Sequence, residues 1–192
     1  FLFMGGFAQA LGPLYLQGLG DALRRRALFG VPPQDLPGLL AVQRACYGEG
    51  YLESAEVYAR RLVSPAQCSL VLERESRVCA YLAAYDSVAG QVTPLHGEFV
   101  PVAEPDTLYL HDLAVLPALA GQGLARALLM PIWHRAAGRG LGRSALVAVQ
   151  GSQGFWERHG YAVQTLQEAQ QRQRLATYGE GAVYMQRPLP GN

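Results

Sequence analysis

Short apolar runs typical of strands alternate with helical runs from Ala27 to the end of the chain, and this alternation limits the fold more than any other feature. A pattern of this kind predicts layers of strands and helices around a shared core. The 192 residues are enough for one sizeable core and too few for two ordinary domains. We therefore predict a single α/β domain over residues 26–192, preceded by an N-terminal extension over residues 1–25.

The N-terminal extension carries no charge over residues 1–20, yet its glutamines, its proline and its five glycines make it too polar to span a membrane. No basic segment precedes the apolar stretch, which argues against a secretory signal. We expect a helix over residues 14–27 that docks through its leucines on the domain or on a second copy in a homodimer. Attachment of the same segment to a membrane surface is the alternative.

Charge and cysteine content exclude several classes of function. The 16 basic and 15 acidic residues leave a net charge of +1, which provides no field to attract nucleic acid or an anionic membrane. The three cysteines form no CxxC pair, which argues against a disulfide framework or a zinc site. We therefore expect a reduced, cytoplasmic setting with no nucleic-acid partner, no membrane partner and no bound metal.

One segment combines a strand, a glycine-rich turn and a helix: residues 110–127 read LHDLAVLPALAGQGLARA. Gly121 and Gly123 let the main chain approach a ligand closely, and the amides of the next helical turn lie at the positive end of the helix dipole. A diphosphate fits such a cradle. A dinucleotide fingerprint would need glycine at Arg126, and a P-loop would need a GK[ST] ending. A glycine turn alone is weak evidence, because glycines at such junctions often serve only the turn.

The segment resembles the acetyl-CoA motif of the GNAT superfamily of N-acetyltransferases, [QR]xxGx[GA]. Gly123 and Ala125 match its fourth and sixth positions, and Ala120 replaces the usual glutamine or arginine. Downstream, residues 155–161 read FWERHGY and resemble the family's FYxxxGF motif. The resemblance covers residues 26–187 and implies the GNAT-like acyl-CoA acyltransferase fold, an α/β fold with a central mixed β-sheet that splays open and is flanked by helices.

The same resemblance implies acetyl-CoA as the cofactor, with its diphosphate at the glycine turn and its pantetheine arm in the gap between the fourth and fifth strands. A strand edge without a neighbour offers amides and carbonyls that an extended, amide-bearing ligand can satisfy. The cofactor-binding residues that follow are Leu113, Ala114, Val115, Ala120, Gly121, Gln122, Gly123, Leu124, Ala125, Arg126 and Phe155.

His111 is the candidate base that accepts the proton of the attacking amine, since an imidazole with a pKa of about 6.5 suits that task near neutrality. The segment YLHDLAV resembles the HxHxLAV strand of arylalkylamine acetyltransferases, and His111 matches the second histidine. The two-residue alternation of a strand places His111 on one face with Tyr109, Leu113 and Val115, and Asp112 on the other. The alternative is that His111 only satisfies a hydrogen bond in the core.

The group that assists the departing thiolate is less well defined. Trp156 stands where many family members have the tyrosine that protonates the thiolate, and an indole cannot supply a comparable acid. The candidates to donate a hydrogen bond instead are Ser152, Tyr161 and a water molecule.

These residues favour an enzyme that transfers the acetyl group of acetyl-CoA to a primary amine, of a small molecule or a protein, by direct attack in a ternary complex. Two alternatives remain open: an acyl-CoA-binding regulatory module that has lost catalysis, and a domain in which the glycine turn is only a turn. No motif identifies the amine.

Overall fold

The computed structural model describes residues 23–27, 35–149 and 151–190. Most of the helix expected over residues 14–27, and its docking surface, therefore lie outside the described residues. The last part of that prediction is wrong, because Leu23–Ala27 form a strand that pairs with Leu70–Arg74 along its whole length. Pairing with a neighbouring strand overrides the local helical pattern here. The expected boundary between residues 25 and 26 falls inside this strand.

Within the described residues, the centre of the fold is a mixed sheet of seven strands in the order β1-β2-β3-β4-β5-β7-β6. Neighbouring strands are antiparallel except for β4 and β5, which are parallel. A mixed sheet of this kind confirms the predicted fold class. The strands are β1 Leu23–Ala27, β2 Leu70–Arg74, β3 Arg77–Ser87, β4 Thr107–Val115, β5 Arg143–Ala148, β6 Ala162–Val163 and β7 Val183–Pro188.

Helices cover both faces of the sheet. They are α1 Leu36–Cys46, α2 Ala55–Val63, α3 Leu124–Gly138, α4 Gln153–Arg158 and α5 Ala169–Ala176. Apolar residues of α3 and α4 form one core with the sheet, and those of α1 and α2 form the other. Ser54 is the N-cap of α2, since its Oγ accepts the Val57 amide at 3.4 Å. None of the described helices is long and apolar enough to cross a lipid bilayer.

β4 and β5 pair only along the first four residues of each strand. Their last paired residues are Leu110 and Leu146, whereas β4 stays bonded to β3 as far as Val115. β5 likewise continues alongside β7 to Ala148. The two strands therefore part after Leu110, and a cleft opens between their carboxyl ends, as the predicted splayed sheet requires.

A β-bulge interrupts β4 where the cleft begins. Ala83 of β3 lies opposite Asp112 and the next residue, Ala84, lies opposite Leu110. His111 is therefore the extra residue of the bulge. One extra residue shifts every later side chain to the other face of the sheet.

The bulge overturns the expected arrangement of side chains on β4. His111 points to the face covered by α1 and α2, where its ring lies 5.5 Å from that of Phe99. Asp112 contacts a tyrosine of α2 and so lies on this face as well. Leu113 and Val115 belong to the core beneath α3. The prediction that His111 shares a face with Leu113 and Val115, opposite Asp112, is wrong.

Candidate functional site

The glycine turn between β4 and α3 forms an exposed cradle of main-chain amides. Gly121 and Gly123 have φ angles of +78° and +79°, a left-handed conformation that favours glycine. The first α-helical bond of α3 runs from the Ala127 amide to the Gly123 carbonyl at 3.0 Å. Among the described residues, no side chain accepts a hydrogen bond from the first amides of α3. Its first amides therefore precede the helical ladder and can bind an anion.

A cavity of about 210 Å³ opens beside the cradle. Arg126 supplies a cation at its rim, which favours a phosphate ligand. Leu119 and His159 also line the cavity, although no sequence motif indicates them as cofactor-binding residues. Gln122 is exposed and Ala114 packs under α1 and α2, so neither side chain lines it. The lining residues are Val115, Leu119, Ala120, Gly121, Gly123, Leu124, Ala125, Arg126, Phe155 and His159.

The main chain of β4 faces the cleft at two positions. The Leu116 amide donates to the Cys79 carbonyl of β3 at 3.0 Å. Because hydrogen-bonded pairs alternate in an antiparallel ladder, the main-chain groups of Leu113 and Val115 point away from β3. They point to the side from which β5 has departed. The Leu113 and Val115 main chain is thus placed to pair with an extended ligand in the cleft.

The end of α1 contacts this same edge. The Cys46 thiol donates to the Val115 carbonyl at 3.1 Å, and the Tyr47 hydroxyl lies 3.0 Å from the Leu113 carbonyl. Burial, and then the negative charge of Asp112, raise the pKa of the Cys46 thiol to about 11. The thiol is therefore a protonated donor near neutral pH rather than a nucleophile.

His111 belongs to a buried group of charged side chains beneath the cleft. Its Nε2 lies 3.1 Å from Oε2 of Glu53. Arg61 of α2 donates to both carboxylate oxygens of Glu53, at 2.6 Å to Oε1 and in a shorter bond to Oε2. The same guanidinium donates twice to the Gly97 carbonyl, at 2.9 and 2.7 Å. This bidentate geometry fixes the carboxylate that holds the imidazole.

The charges of this group set its proton chemistry. Burial by itself would raise the pKa of Glu53, but the positive charge of protonated His111, the hydrogen bond from His111 and then the guanidinium of Arg61 hold it below its usual range. Burial, and then the positive charge of Arg61, lower the pKa of His111. His111 is therefore neutral near pH 7, which is the form that accepts a proton.

The Asp112 carboxylate accepts hydrogen bonds from three tyrosine hydroxyls. Tyr47 donates to its Oδ1 at 2.6 Å, Tyr58 of α2 donates to its Oδ2 at 2.6 Å, and Tyr81 of β3 makes a shorter bond to the same Oδ2. Burial, and then the negative charge of Asp112, raise the pKa of each of these tyrosines well above its ordinary value. The hydroxyls therefore keep their protons.

Ser152 and Tyr161 have structural contacts. The Ser152 hydroxyl accepts the Val149 amide at 3.2 Å and so holds the turn that begins α4. Its catalytic assignment stays a prediction. The Tyr161 hydroxyl lies 2.7 Å from that of Ser144 and accepts the Trp133 indole N–H at 3.1 Å. Ser144 lies on the part of β5 that still pairs with β4. The assignment of Tyr161 to assist the thiolate also stays a prediction.

Trp156 is a packing residue. It is 1% exposed, and its ring lies edge-on to Phe155 at 5.0 Å and to Tyr161 at 5.3 Å. Its indole N–H has no hydrogen-bond partner within the described part of the chain. In that same part, no group of three or more histidine, cysteine or acidic side chains is arranged to hold a metal ion.

A family model described as the acetyltransferase (GNAT) family matches residues 36–161, more than half of the chain. No curated protein matches the chain significantly.

Several solved structures have a similar fold. The ribosomal-protein-S18-alanine N-acetyltransferase from Escherichia coli is 17% identical with a TM-score of 0.63, over 88% of this chain and 96% of that one. The GphF GNAT-like decarboxylase in complex with isobutyryl-CoA is 18% identical with a TM-score of 0.68, over 87% and 100%. The PaiA N-acetyltransferase from Thermoplasma acidophilum in complex with coenzyme A is 14% identical with a TM-score of 0.59, over 87% and 99%.

Proposed function

Because the chain belongs to the GNAT acetyltransferase family, we propose that it transfers the acetyl group of acetyl-CoA to a primary amine while both substrates are bound. The observation that carries the proposal is the parting of β4 and β5 directly beside the exposed cradle of α3. The cradle would hold a diphosphate, and the gap between β4 and β5 would hold the extended pantetheine arm. Neither is needed by a domain whose glycine turn serves only as a turn.

The residues of the cradle fit coenzyme A. Amides near the start of α3 and the guanidinium of Arg126 would hold the diphosphate, and the main-chain amides of Leu113 and Val115 would donate to carbonyl groups of the pantetheine arm. When bound, acetyl-CoA supplies a thioester whose carbonyl carbon forms the new bond to nitrogen as the carbon–sulfur bond breaks and its electron pair leaves with sulfur.

His111 is the proposed proton acceptor. It lies at the closed end of the cleft, immediately after the last residue of β4 that pairs with β5. An amine is nucleophilic only when neutral, so a proton must leave its nitrogen, directly or through water. Glu53 orients the imidazole by accepting its Nε2–H, and it stabilises the imidazolium that forms.

Replacing His111 by glutamine should lower kcat roughly a hundredfold, at the lower end of the range for general-base catalysis. It should leave KM for acetyl-CoA close to that of the unaltered protein. Because the pKa of His111 is lowered, kcat/KM of the unaltered protein should rise with pH through a midpoint below about 6.5 and then level off. The pH profile of His111→Gln should lack this rise in kcat/KM. Initial rates at varied acetyl-CoA measure kcat and KM, and initial rates across pH at varied amine and saturating acetyl-CoA measure the pH profile.

The matched control is His134→Gln on α3, where the histidine is exposed and far from β4 in sequence. It should keep the full rate and the same pH profile. If His111→Gln gives the profile and rate of the unaltered protein, His111 is not the base.

The reaction itself is tested by release of the coenzyme A thiol with and without a panel of primary amines. The proposal predicts release that depends on added amine. One of the similar structures is described as a GNAT-like decarboxylase, so release without amine has to be measured separately. The second candidate function is an acyl-CoA-binding module without catalysis. It is supported by Trp156, which stands at the position of the usual acid. It predicts tight binding of coenzyme A with no amine-dependent release.

A further inference from the structure

The buried carboxyl group of Asp112 has no cation in contact with it among the described residues. Asp112 is 2% exposed, and its partners in the described structure are the neutral hydroxyls of Tyr47, Tyr58 and Tyr81. The nearby guanidinium of Arg61 is already paired with Glu53. Buried charges are normally paired with an opposite charge. This negative charge therefore favours a cationic ligand beside it.

Tyr47 connects that charge to the cleft. Its hydroxyl lies 2.6 Å from Oδ1 of Asp112 and 3.0 Å from the Leu113 carbonyl oxygen. A hydroxyl has one hydrogen to donate, and the nearer, charged oxygen of Asp112 is the stronger acceptor. With that hydrogen on Asp112, the phenol oxygen and the Leu113 carbonyl form a pair of acceptors 3.0 Å apart at the cleft edge.

Two adjacent acceptors with a negative charge behind them match the chemistry of an ammonium group, which carries three N–H donors and a positive charge. A neutral alcohol or an amide offers fewer donors and no charge. The pair lies two residues along β4 from His111, where the strands begin to part. A ligand that enters the cleft from the cradle reaches this point after it has passed Val115.

We propose that the Tyr47 hydroxyl and the Leu113 carbonyl bind the nitrogen of the acceptor, that Asp112 acts through Tyr47 as a positioning residue, and that the acceptor is a primary amine bound as its ammonium. This proposal rests on the proposed function and names the amine site within it. No bond changes at Tyr47 or Asp112. The nitrogen, once held, gives its proton to His111 before it attacks the thioester.

The test uses two coenzyme A derivatives of the same length that differ only in the terminal group at the reacting end, an ammonium in S-(2-aminoethyl)-CoA and a methyl group in S-propyl-CoA. Their dissociation constants are measured by calorimetry on the full chain, so the readout does not depend on turnover. The unaltered protein should bind the aminoethyl derivative about tenfold to a hundredfold more tightly. Tyr47→Phe should lose most of this preference and bind the propyl derivative as before.

Tyr58→Phe is the matched control, because it also removes one hydroxyl from Asp112 but makes no contact with Leu113 among the described bonds. It should keep the preference. Equal binding of the two derivatives by the unaltered protein would overturn the amine site and leave the transferase proposal standing, whether or not Tyr47→Phe folds. Equal losses in both variants would overturn the direct role of Tyr47. If neither derivative binds, the cleft is not a coenzyme A site and both proposals are overturned.

Discussion

Replacing Gly121 by valine should lower the affinity for coenzyme A by about two to four orders of magnitude, since at least two charge-assisted hydrogen bonds of about 1.5–3 kcal/mol each would be lost. A Cβ added at Gly121 would meet no atom of the described chain within 4 Å, so the new side chain would occupy open space beside the turn, where the proposed diphosphate binds. The positive φ of +78° adds a strain of about 1–2 kcal/mol to the folded state. The variant should fold and fail to bind. Calorimetric titration with coenzyme A measures the loss.

Gly140→Val provides the control for this prediction. Gly140 follows the last turn of α3 and has a φ of +85°, and a Cβ at this position would also have open space around it within the described structure. The backbone strain is therefore similar, but the cradle is at the other end of the helix. Gly140→Val should lose stability like Gly121→Val and bind coenzyme A normally. Equal affinities of the two variants would show that the turn does not contact the ligand.

Replacing Arg61 by methionine should reduce the free energy of unfolding by about 3–5 kcal/mol, the typical cost of removing one partner from a buried ion pair. The side chains of Arg61 and Glu53 are 1% and 2% exposed. Without the guanidinium, the Glu53 carboxylate and the Gly97 carbonyl lose charge-assisted bonds that water cannot replace. Urea unfolding at neutral pH measures the difference.

Arg60→Met is the matched control, because Arg60 is the preceding residue of α2 and its ion pair with Glu98 is exposed, at 56% and 45%. Its loss should cost less than about 1 kcal/mol. Losses of equal size in the two variants would contradict the role given to the buried pair.

The cost of losing Arg61 should also depend on pH. The pKa of Glu53 is lowered in the folded state, so its contribution to stability is complete above the unfolded value of about 4.3 and declines as the pH falls below it. The difference in stability between the unaltered protein and Arg61→Met should therefore narrow in acid.

The amino-acid pattern predicts the order of strands and helices well, because most elements bury a periodic apolar face. The strand, glycine turn and helix predicted within residues 110–127 are found as the end of β4, the turn and the start of α3. Helix α5 has no apolar stripe, and Gln171 is its buried residue. Only the helix propensity of its glutamines, arginines and alanines signals it.

The positions of His111 and Asp112 could not be predicted from alternation, because one bulge residue reverses the faces of everything after it. No apolar or turn signal in residues 110–112 marks that bulge. The burial of Glu53 and Arg61 could not be predicted either, because charged residues at a helix start and in a helix are usually exposed to solvent. Their burial follows from the pairing of α2 with the 94–99 segment, which is a tertiary event.

Tyr47 could not be predicted for a related reason. It follows the last residue of α1, and nothing near it in sequence indicates a site. Its partners Asp112 and Leu113 are separated from it by 65 and 66 positions. Only the folded sheet brings the end of α1 to the edge that β5 leaves open.

A crystal structure of the protein with coenzyme A tests the central claim most directly. We expect diphosphate oxygens at hydrogen-bonding distance, about 2.7–3.2 Å, from main-chain amides within residues 121–125. We also expect the pantetheine arm between β4 and β5, alongside Leu113 and Val115. Coenzyme A bound away from this turn, or crystals grown at saturating coenzyme A that show none in the cleft, would contradict the claim.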